Sequence, residues 1–287
     1  MRLPLVTGID GSDASLLALD WAVDEAARHG VPLRLVYASR WERYEGAVPS
    51  TGLERPSEQV LAEHIVASGA ERAGRRNPDV KVTTDVIPDD AAVALVRAGD
   101  GASALVTGSR GRGELRGLLL GSIGLAVAGR ARCPVIVVRG DQAGIAGTHD
   151  RILLGLGGAD TAADAVRFAF REAEVRGCVL DVVRAWRSPS HLSRHAGEVA
   201  NSPEEEASAL LDGLLAEAVA EHPQVRVHRT TLEGAAGHVL VNRSAAADLV
   251  VVGSRSRTGH VGLQLGSVSH ALLHHAQCPV AVVPRKP

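Results

Sequence analysis

The chain has 287 residues, of which 45% are hydrophobic and 22% charged, with 31 basic and 33 acidic residues and a formal net charge of −2. A near-neutral chain with 2% aromatic residues lacks the cationic excess and the stacking platforms typical of nucleic-acid binding. No apolar run reaches membrane-spanning length, no secretory signal is read and the three cysteines are isolated. We therefore expect a cytoplasmic protein of two domains without nucleic-acid or membrane partners.

The two halves of the chain repeat each other. Gly8 aligns with Gly155 at an offset of 147, and Gly108 aligns with Gly253 at an offset of 145. Because this period is far longer than that of solenoid repeats, it predicts two copies of one domain. The predicted boundaries are a first domain at 1–139, a glycine-rich linker at 140–149 and a second domain at 150–287.

Strand and helix signals alternate along each copy. In the first copy, apolar runs predict strands at 3–8, 33–38, 80–86, 105–107 and 135–138. Amphipathic periodicity and capping residues predict helices at about 12–29, 57–76, 90–98 and 121–131. This alternation predicts an α/β fold in which each copy forms a doubly wound, Rossmann-like sheet of five parallel strands. We expect the strand order 3-2-1-4-5, which places the ligand crevice beyond the carboxyl ends of strands 1 and 4.

A glycine-rich motif follows the fourth strand. Gly108, Gly111, Gly121 and Ser122 have the spacing G-x2-G-x9-G-S, and Arg110 adds positive charge. Glycines allow backbone N–H groups to approach an anion closely, and a helix that begins at Gly121 presents its positive end to phosphate. The motif therefore predicts a phosphate-binding loop, although a flexible turn with a serine cap would also have this composition.

These features resemble the universal stress protein family in its tandem-domain form. The resemblance rests on the segment Gly8–Ser12, on the glycine spacing, and on Cys133–Val138 at the closing strand. It covers both copies and implies a stress-response regulator that binds ATP and Mg²⁺, with no defined catalysed reaction.

The resemblance also implies roles for individual residues. Asp10, with Gly11 beside it, would lie near the ribose or near an ATP-bound Mg²⁺, and the backbone of Ala38 would meet the adenine. The implied phosphate-binding set consists of Gly108, Arg110, Gly111, Gly121, Ser122 and Ile123. The alternative for Asp10 is a turn residue at the end of a strand.

The second copy departs from this pattern at two positions. Gly157 replaces Asp10 and Ser256 replaces Gly111, where we expect a positive φ that a side chain would make costly. The remaining candidate site residues of this copy are Gly253, Arg255, Gly266, Ser267 and Val268. The second site is thus predicted to be the weaker for Mg·ATP, and it could also bind another anion or be structural.

Enzymatic alternatives are restricted by missing motifs. The two lysines, Lys81 and Lys286, are not part of a GK[ST] sequence, which excludes a P-loop NTPase. The segment 155–160 lacks the third glycine of a dinucleotide fingerprint. The alternative to a binding protein is a slow ATPase, or another Rossmann-like enzyme that uses an adenine nucleotide or a dinucleotide.

Three smaller features complete the sequence-based predictions. Cys133 and Cys278 each precede a proline and an apolar strand, which indicates small buried residues. His270 and His274 are spaced i, i+4, and we interpret them as a solvated helix face rather than a zinc site. The fifth strands are apolar edges that should pair, either within the chain or in a homodimer.

Overall fold

The computed structural model of the chain describes residues 2–38, 57–111, 121–187, 202–254 and 265–285. The chain divides into two compact units, Met1–Val138 and Arg139–Pro287. Of the helices in the described segments, none has both the length and the apolar character that a membrane span requires.

The first unit is a five-stranded parallel sheet with helices between the strands. Its strands are β1 (Leu5–Gly8), β2 (Leu33–Ala38), β3 (Val82–Ile87), β4 (Ala104–Gly108) and β5 (Val135–Val138). Its helices are α1 (Asp13–His29), α2 (Ser57–Arg76), α3 (Ala91–Gly99) and α4 (Ser122–Ala128). The strand order is β3-β2-β1-β4-β5, with every pair parallel, which confirms the predicted order.

The second unit repeats this architecture. Its strands are β6 (Arg151–Gly155), β7 (Val179–Trp186), β8 (Arg226–Glu233), β9 (Leu249–Gly253) and β10 (Val280–Val283). Its helices are α5 (Gln142–Ala146), α6 (Ala162–Arg176), α7 (Pro203–Glu221), α8 (Ala236–Arg243) and α9 (Ser267–His275). The parallel order β8-β7-β6-β9-β10 corresponds strand for strand to the first unit.

Local sequence explains where the first helix begins and ends. Ser12 is the N-cap of α1, and its side chain accepts a hydrogen bond from the Ser15 backbone N–H at 3.3 Å. Gly30 ends the helix with a φ of 59°, and Gly177 ends α6 in the same way with a φ of 64°. Such left-handed caps favour glycine because it has no Cβ, and they return each chain toward the next strand.

The segment predicted as a linker contains helix α5. The Asp141 side chain caps this helix by accepting a hydrogen bond from the Gly144 N–H at 2.8 Å, and the Asp141 N–H donates to the Gln277 carbonyl at 2.9 Å. A Cβ on Gly144 would lie 2.8 Å from the Cβ of Cys278. The glycine at 144 therefore permits close packing within the second unit, a property that composition alone does not distinguish from flexibility.

The three cysteines are free and buried, as predicted for Cys133 and Cys278. Burial raises the pKa of the Cys133 thiol to about 11, and it also raises the pKa values of Cys178 and Cys278. A thiol with a raised pKa forms little thiolate at neutral pH, so these cysteines are structural.

Candidate functional site

Asp10 follows β1 and is held in a tight turn before α1. Its Oδ1 accepts hydrogen bonds from the backbone N–H of Ser12 at 2.9 Å and from the Ser12 hydroxyl at 2.6 Å. Gly11 lies between them with a φ of 80°, in the left-handed region that glycine adopts without strain. The half-buried carboxylate is thus fixed in orientation at the edge of the sheet where the strands end, the carboxyl edge.

A second set of hydrogen bonds stabilises this turn. The Ser15 hydroxyl donates to the Ser12 carbonyl at 2.9 Å and accepts a hydrogen bond from the Asp10 N–H at 3.3 Å. Asp13 is the exposed first residue of the helix, and the cap is Ser12. Asp10 and Asp13 therefore differ in structural role although both are acidic residues of the same turn.

The loop after β4 contacts the loop after β1. A Cβ on Gly108 would lie 2.5 Å from the Ala14 carbonyl oxygen, so the end of β4 packs directly against the first turn of α1. A Cβ on Gly111 would lie 2.7 Å from Oδ2 of Asp10. The strand order therefore brings the two loops together at the carboxyl edge, where the sequence predicts a ligand crevice between β1 and β4.

The physical reason for glycine at position 111 differs from the sequence-based expectation. The φ of Gly111 lies outside the left-handed region, so the expectation of a positive φ was wrong. Glycine is favoured there because the backbone approaches the Asp10 carboxylate, which a Cβ would displace. Such proximity could not be inferred from the motif alone, since it depends on the folded positions of two loops.

The end of the glycine motif returns to the same place. The Gly121 N–H donates to the Ser109 carbonyl at 2.9 Å, and Gly121 is the N-cap of α4 without a side-chain capping bond. Ser122 and Arg110 are exposed, and the Ile123 side chain is exposed to 39%. Ala38 ends β2 at the same edge. The motif residues between 112 and 120 lie outside the described residues.

This arrangement has the chemical groups that a Mg²⁺-bound phosphate chain needs. Mg²⁺ is usually held by one or two carboxylates together with phosphate oxygens. Asp10 supplies a carboxylate of fixed orientation, and the Gly111 backbone adjoins it with no side chain between them. Arg110 and the uncapped start of α4 supply positive charge and N–H donors. The residues present therefore fit a Mg²⁺-bound nucleotide.

The equivalent edge of the second unit has different chemistry. Gly157 takes the position of Asp10, and among the described residues the atom nearest to a Cβ there would be the Thr161 hydroxyl oxygen at 3.8 Å. The Arg184 guanidinium donates a hydrogen bond to the Gly157 carbonyl. Gly253 packs against Thr161 much as Gly108 packs against α1.

The other second-unit candidates are placed only in part. Gly266 is the N-cap of α9, Ser267 is its exposed first residue, and Val268 follows half-buried. Arg255 and Ser256 lie outside the described residues. Arg184 is not among the residues that the sequence predicts for this site, although the repeat alignment places this arginine at the position equivalent to Tyr37.

The histidines on α9 depart from the predicted solvated face. His270 is exposed, but His274 is only 9% exposed, and the two ring centroids lie 4.4 Å apart. Burial lowers the pKa of His274, and the nearby charges of His270, His275 and Arg139 lower it further. The interpretation as a solvated face was therefore wrong for His274, because that side chain turns inward.

Comparison with known proteins assigns both halves of the chain to one protein family. A model of the Universal stress protein family matches residues 1–139 and again residues 148–284. A universal stress protein of Mycobacterium tuberculosis is 34% identical over 288 residues, which cover 97% of this chain and 96% of that protein.

Solved structures also match this chain. A universal stress protein from Archaeoglobus fulgidus covers 99% of this chain and 98% of its own, with 20% identity and a TM-score of 0.72, which shows the shared fold. A universal stress protein solved in complex with cAMP covers 48% of this chain and 98% of its own, at 28% identity and a TM-score of 0.36. On the two family matches and the relative at 34% identity, the chain belongs to the universal stress protein family, with one copy of the family domain in each half.

Proposed function

We propose that the first unit binds an adenine nucleotide together with Mg²⁺, with ATP as the principal ligand, and that the protein acts as a nucleotide-responsive regulator in the response to stress. The observation that carries this proposal is the contact between Asp10 and Gly111, which joins a fixed carboxylate to a glycine-rich loop. Membership of the universal stress protein family supports the regulatory role.

Each group has a defined role in this proposal. The Asp10 carboxylate holds the Mg²⁺, and the backbone at Gly111 and the start of α4 donate to phosphate oxygens. Arg110 balances the phosphate charge. The backbone of Ala38 accepts or donates a hydrogen bond at the adenine edge, and the exposed Ile123 gives the nucleotide an apolar contact. These groups bind and orient the ligand and imply no chemical step.

Isothermal titration calorimetry of the full-length protein with Mg·ATP tests the proposal. Asp10→Asn keeps the oxygen that accepts from Ser12 and removes the charge, so the turn persists while the metal contact is lost. Since a charge-assisted contact is worth about 1.5–3 kcal/mol, we expect the affinity to fall by roughly ten- to a hundredfold. The matched control is Asp13→Asn, which neutralises an exposed carboxylate of the same turn.

Two results would overturn the proposal. One is the absence of binding by any adenine nucleotide in the presence of Mg²⁺. The other is an equal loss of affinity in Asp10→Asn and Asp13→Asn, which would show a general charge effect. Phosphate release over hours with excess Mg·ATP distinguishes a binding protein from a slow ATPase, because only the ATPase exceeds the rate in buffer.

A further inference from the structure

Two neighbouring positions at the carboxyl edge differ in charge between the two units. The Ile9 N–H donates to Val36 and the Leu156 N–H donates to Val183, at 2.9 and 3.0 Å, so Asp10 and Gly157 occupy equivalent positions. The next residues of the second strands, Tyr37 and Arg184, are equivalent by the same register. The second unit therefore loses a carboxylate and gains a guanidinium at one place.

Two nitrogen donors at this edge are buried without acceptors. In the described part of the chain, neither Nε of Arg184 nor Nε1 of Trp186 has a hydrogen-bond partner. The two residues are separated by one position on β7, so their side chains lie on the same face of the sheet. Both nitrogens can only donate, and a buried donor without an acceptor destabilises the fold unless a ligand or a water molecule supplies one.

Among the described residues, no carboxylate forms an ion pair with Arg184. Its guanidinium instead donates a hydrogen bond to the Gly157 carbonyl. A partly buried guanidinium favours an anion, and phosphate oxygens match its planar array of donors. A divalent cation would be repelled at this position. The groups on this face thus favour a phosphate without its metal.

We infer that the second unit binds a phosphate-bearing anion in its metal-free form, with Arg184 as the principal contact and Trp186 as an additional donor. This site differs from the Mg²⁺-dependent site proposed for the first unit, and it does not depend on that proposal. The residues that distinguish the two sites are Asp10 and Tyr37 in the first unit and Gly157 and Arg184 in the second.

Calorimetry of the full-length protein in excess EDTA tests this inference, with pyrophosphate and ADP as separate probes. The chelator removes the metal that the first unit requires. We expect binding of at least one probe, and a loss of affinity of about tenfold or more in Arg184→Gln. Binding of pyrophosphate identifies phosphate itself as the ligand, whereas binding of ADP alone shows that the nucleoside is also needed.

The matched control is Arg226→Gln, because Arg226 is an exposed arginine at the opposite, amino end of the neighbouring strand β8. Its affinity should equal that of the wild type. A second variant, Gly157→Asp, leaves Arg184 in place and adds a carboxylate beside it, where the nearest atom of the described residues to a Cβ is 3.8 Å away. It should also abolish metal-free binding, and it decides the matter if Arg184→Gln fails to fold by circular dichroism.

The inference is overturned if neither probe binds in EDTA, or if binding appears only when Mg²⁺ is restored. It is equally overturned if Arg184→Gln and Arg226→Gln bind alike, or if Gly157→Asp retains full affinity. Because these variants leave Asp10 unchanged, failure here is distinguishable from failure of the Mg·ATP site.

Discussion

Oδ2 of Asp10 lies 2.7 Å from the point where a Cβ on Gly111 would stand, although the two residues are 101 positions apart in the sequence. The other carboxylate oxygen is already bound by Ser12, so the side chain cannot turn away without breaking the turn. In the second copy both positions change together, to Gly157 and Ser256. Asp10 thus gives a steric reason for glycine at position 111 of the first copy, and in the second copy the serine accompanies the loss of that carboxylate.

Gly111→Ser should therefore displace the Asp10 carboxylate and weaken Mg·ATP binding. Because the displaced contact is charge-assisted, we expect a loss of about tenfold or more, measured by calorimetry. The matched control is Gly101→Ser, since a Cβ on Gly101 would meet no heavy atom within 4 Å. Equal effects of the two substitutions, or no effect of the first, would contradict the steric explanation.

The double variant Asp10→Gly/Gly111→Ser reproduces the residues of the second copy and tests the same contact. Once the carboxylate is gone, no heavy atom of the described residues outside the immediate chain neighbours lies within 4 Å of the serine Cβ. We expect the double variant to bind Mg·ATP no more weakly than Asp10→Gly alone, which is the non-additivity expected of residues in contact. Additive losses would show that the serine acts independently of Asp10.

The two units should differ in affinity for Mg·ATP. Gly157 removes one charge-assisted contact, worth about 1.5–3 kcal/mol, so the second site should be weaker by roughly ten- to a hundredfold. Equilibrium dialysis of the full-length protein with labelled ATP should show one tight site per chain, and Asp10→Asn should remove it. Two equal sites, or a tight site that survives Asp10→Asn, would be inconsistent with this assignment.

The sequence predicts the fold well because its signals are local. Apolar runs, the serine cap at Ser12 and the left-handed glycine at Gly30 each act within a few residues, and alternation of strands and helices then indicates a parallel sheet with right-handed crossovers. The role of Gly111 could not be predicted from local signals, because its steric constraint comes from a residue in another loop. Arg184 lies outside the family motif, and it becomes distinctive only through the loss of a carboxylate at Gly157.

The predicted pairing of the fifth strands can be tested by hydrogen exchange. The backbone carbonyls of Pro134 and Val138 accept hydrogen bonds from β4, so the intervening amide of Val137 points away from β4. In the second unit, the carbonyls of Pro279 and Val283 accept hydrogen bonds from β9, so the amide of Val282 points away from β9. If these edges are paired, both amides should exchange slowly. Charged substitutions are unsuitable here, because the two valine side chains are only 0% and 1% exposed and their loss would disrupt the core.

An outer strand of the first unit provides the control for that experiment. The Leu33 N–H donates to the Lys81 carbonyl, so the amide of Thr84 on β3 points away from β2, at the end of the strand order. Thr84 should exchange rapidly. If Val137 and Val282 exchange as fast as Thr84, the fifth strands are unpaired edges.

Acid should destabilise the second unit through His274. Burial, together with His270, His275 and Arg139, holds the pKa of His274 in the folded protein below its ordinary value of 6.5. The unfolded chain therefore binds more protons than the folded one as the pH falls through 6.5 toward the lower pKa of the folded protein, and stability decreases over that range.

Urea unfolding of the wild type and of His274→Gln between pH 8 and 5 should show a smaller acid-induced loss of stability in the variant. His228→Gln, which changes an exposed histidine on β8, should retain the wild-type pH dependence. Parallel curves for the wild type and His274→Gln would show that the buried imidazole does not govern the response to acid.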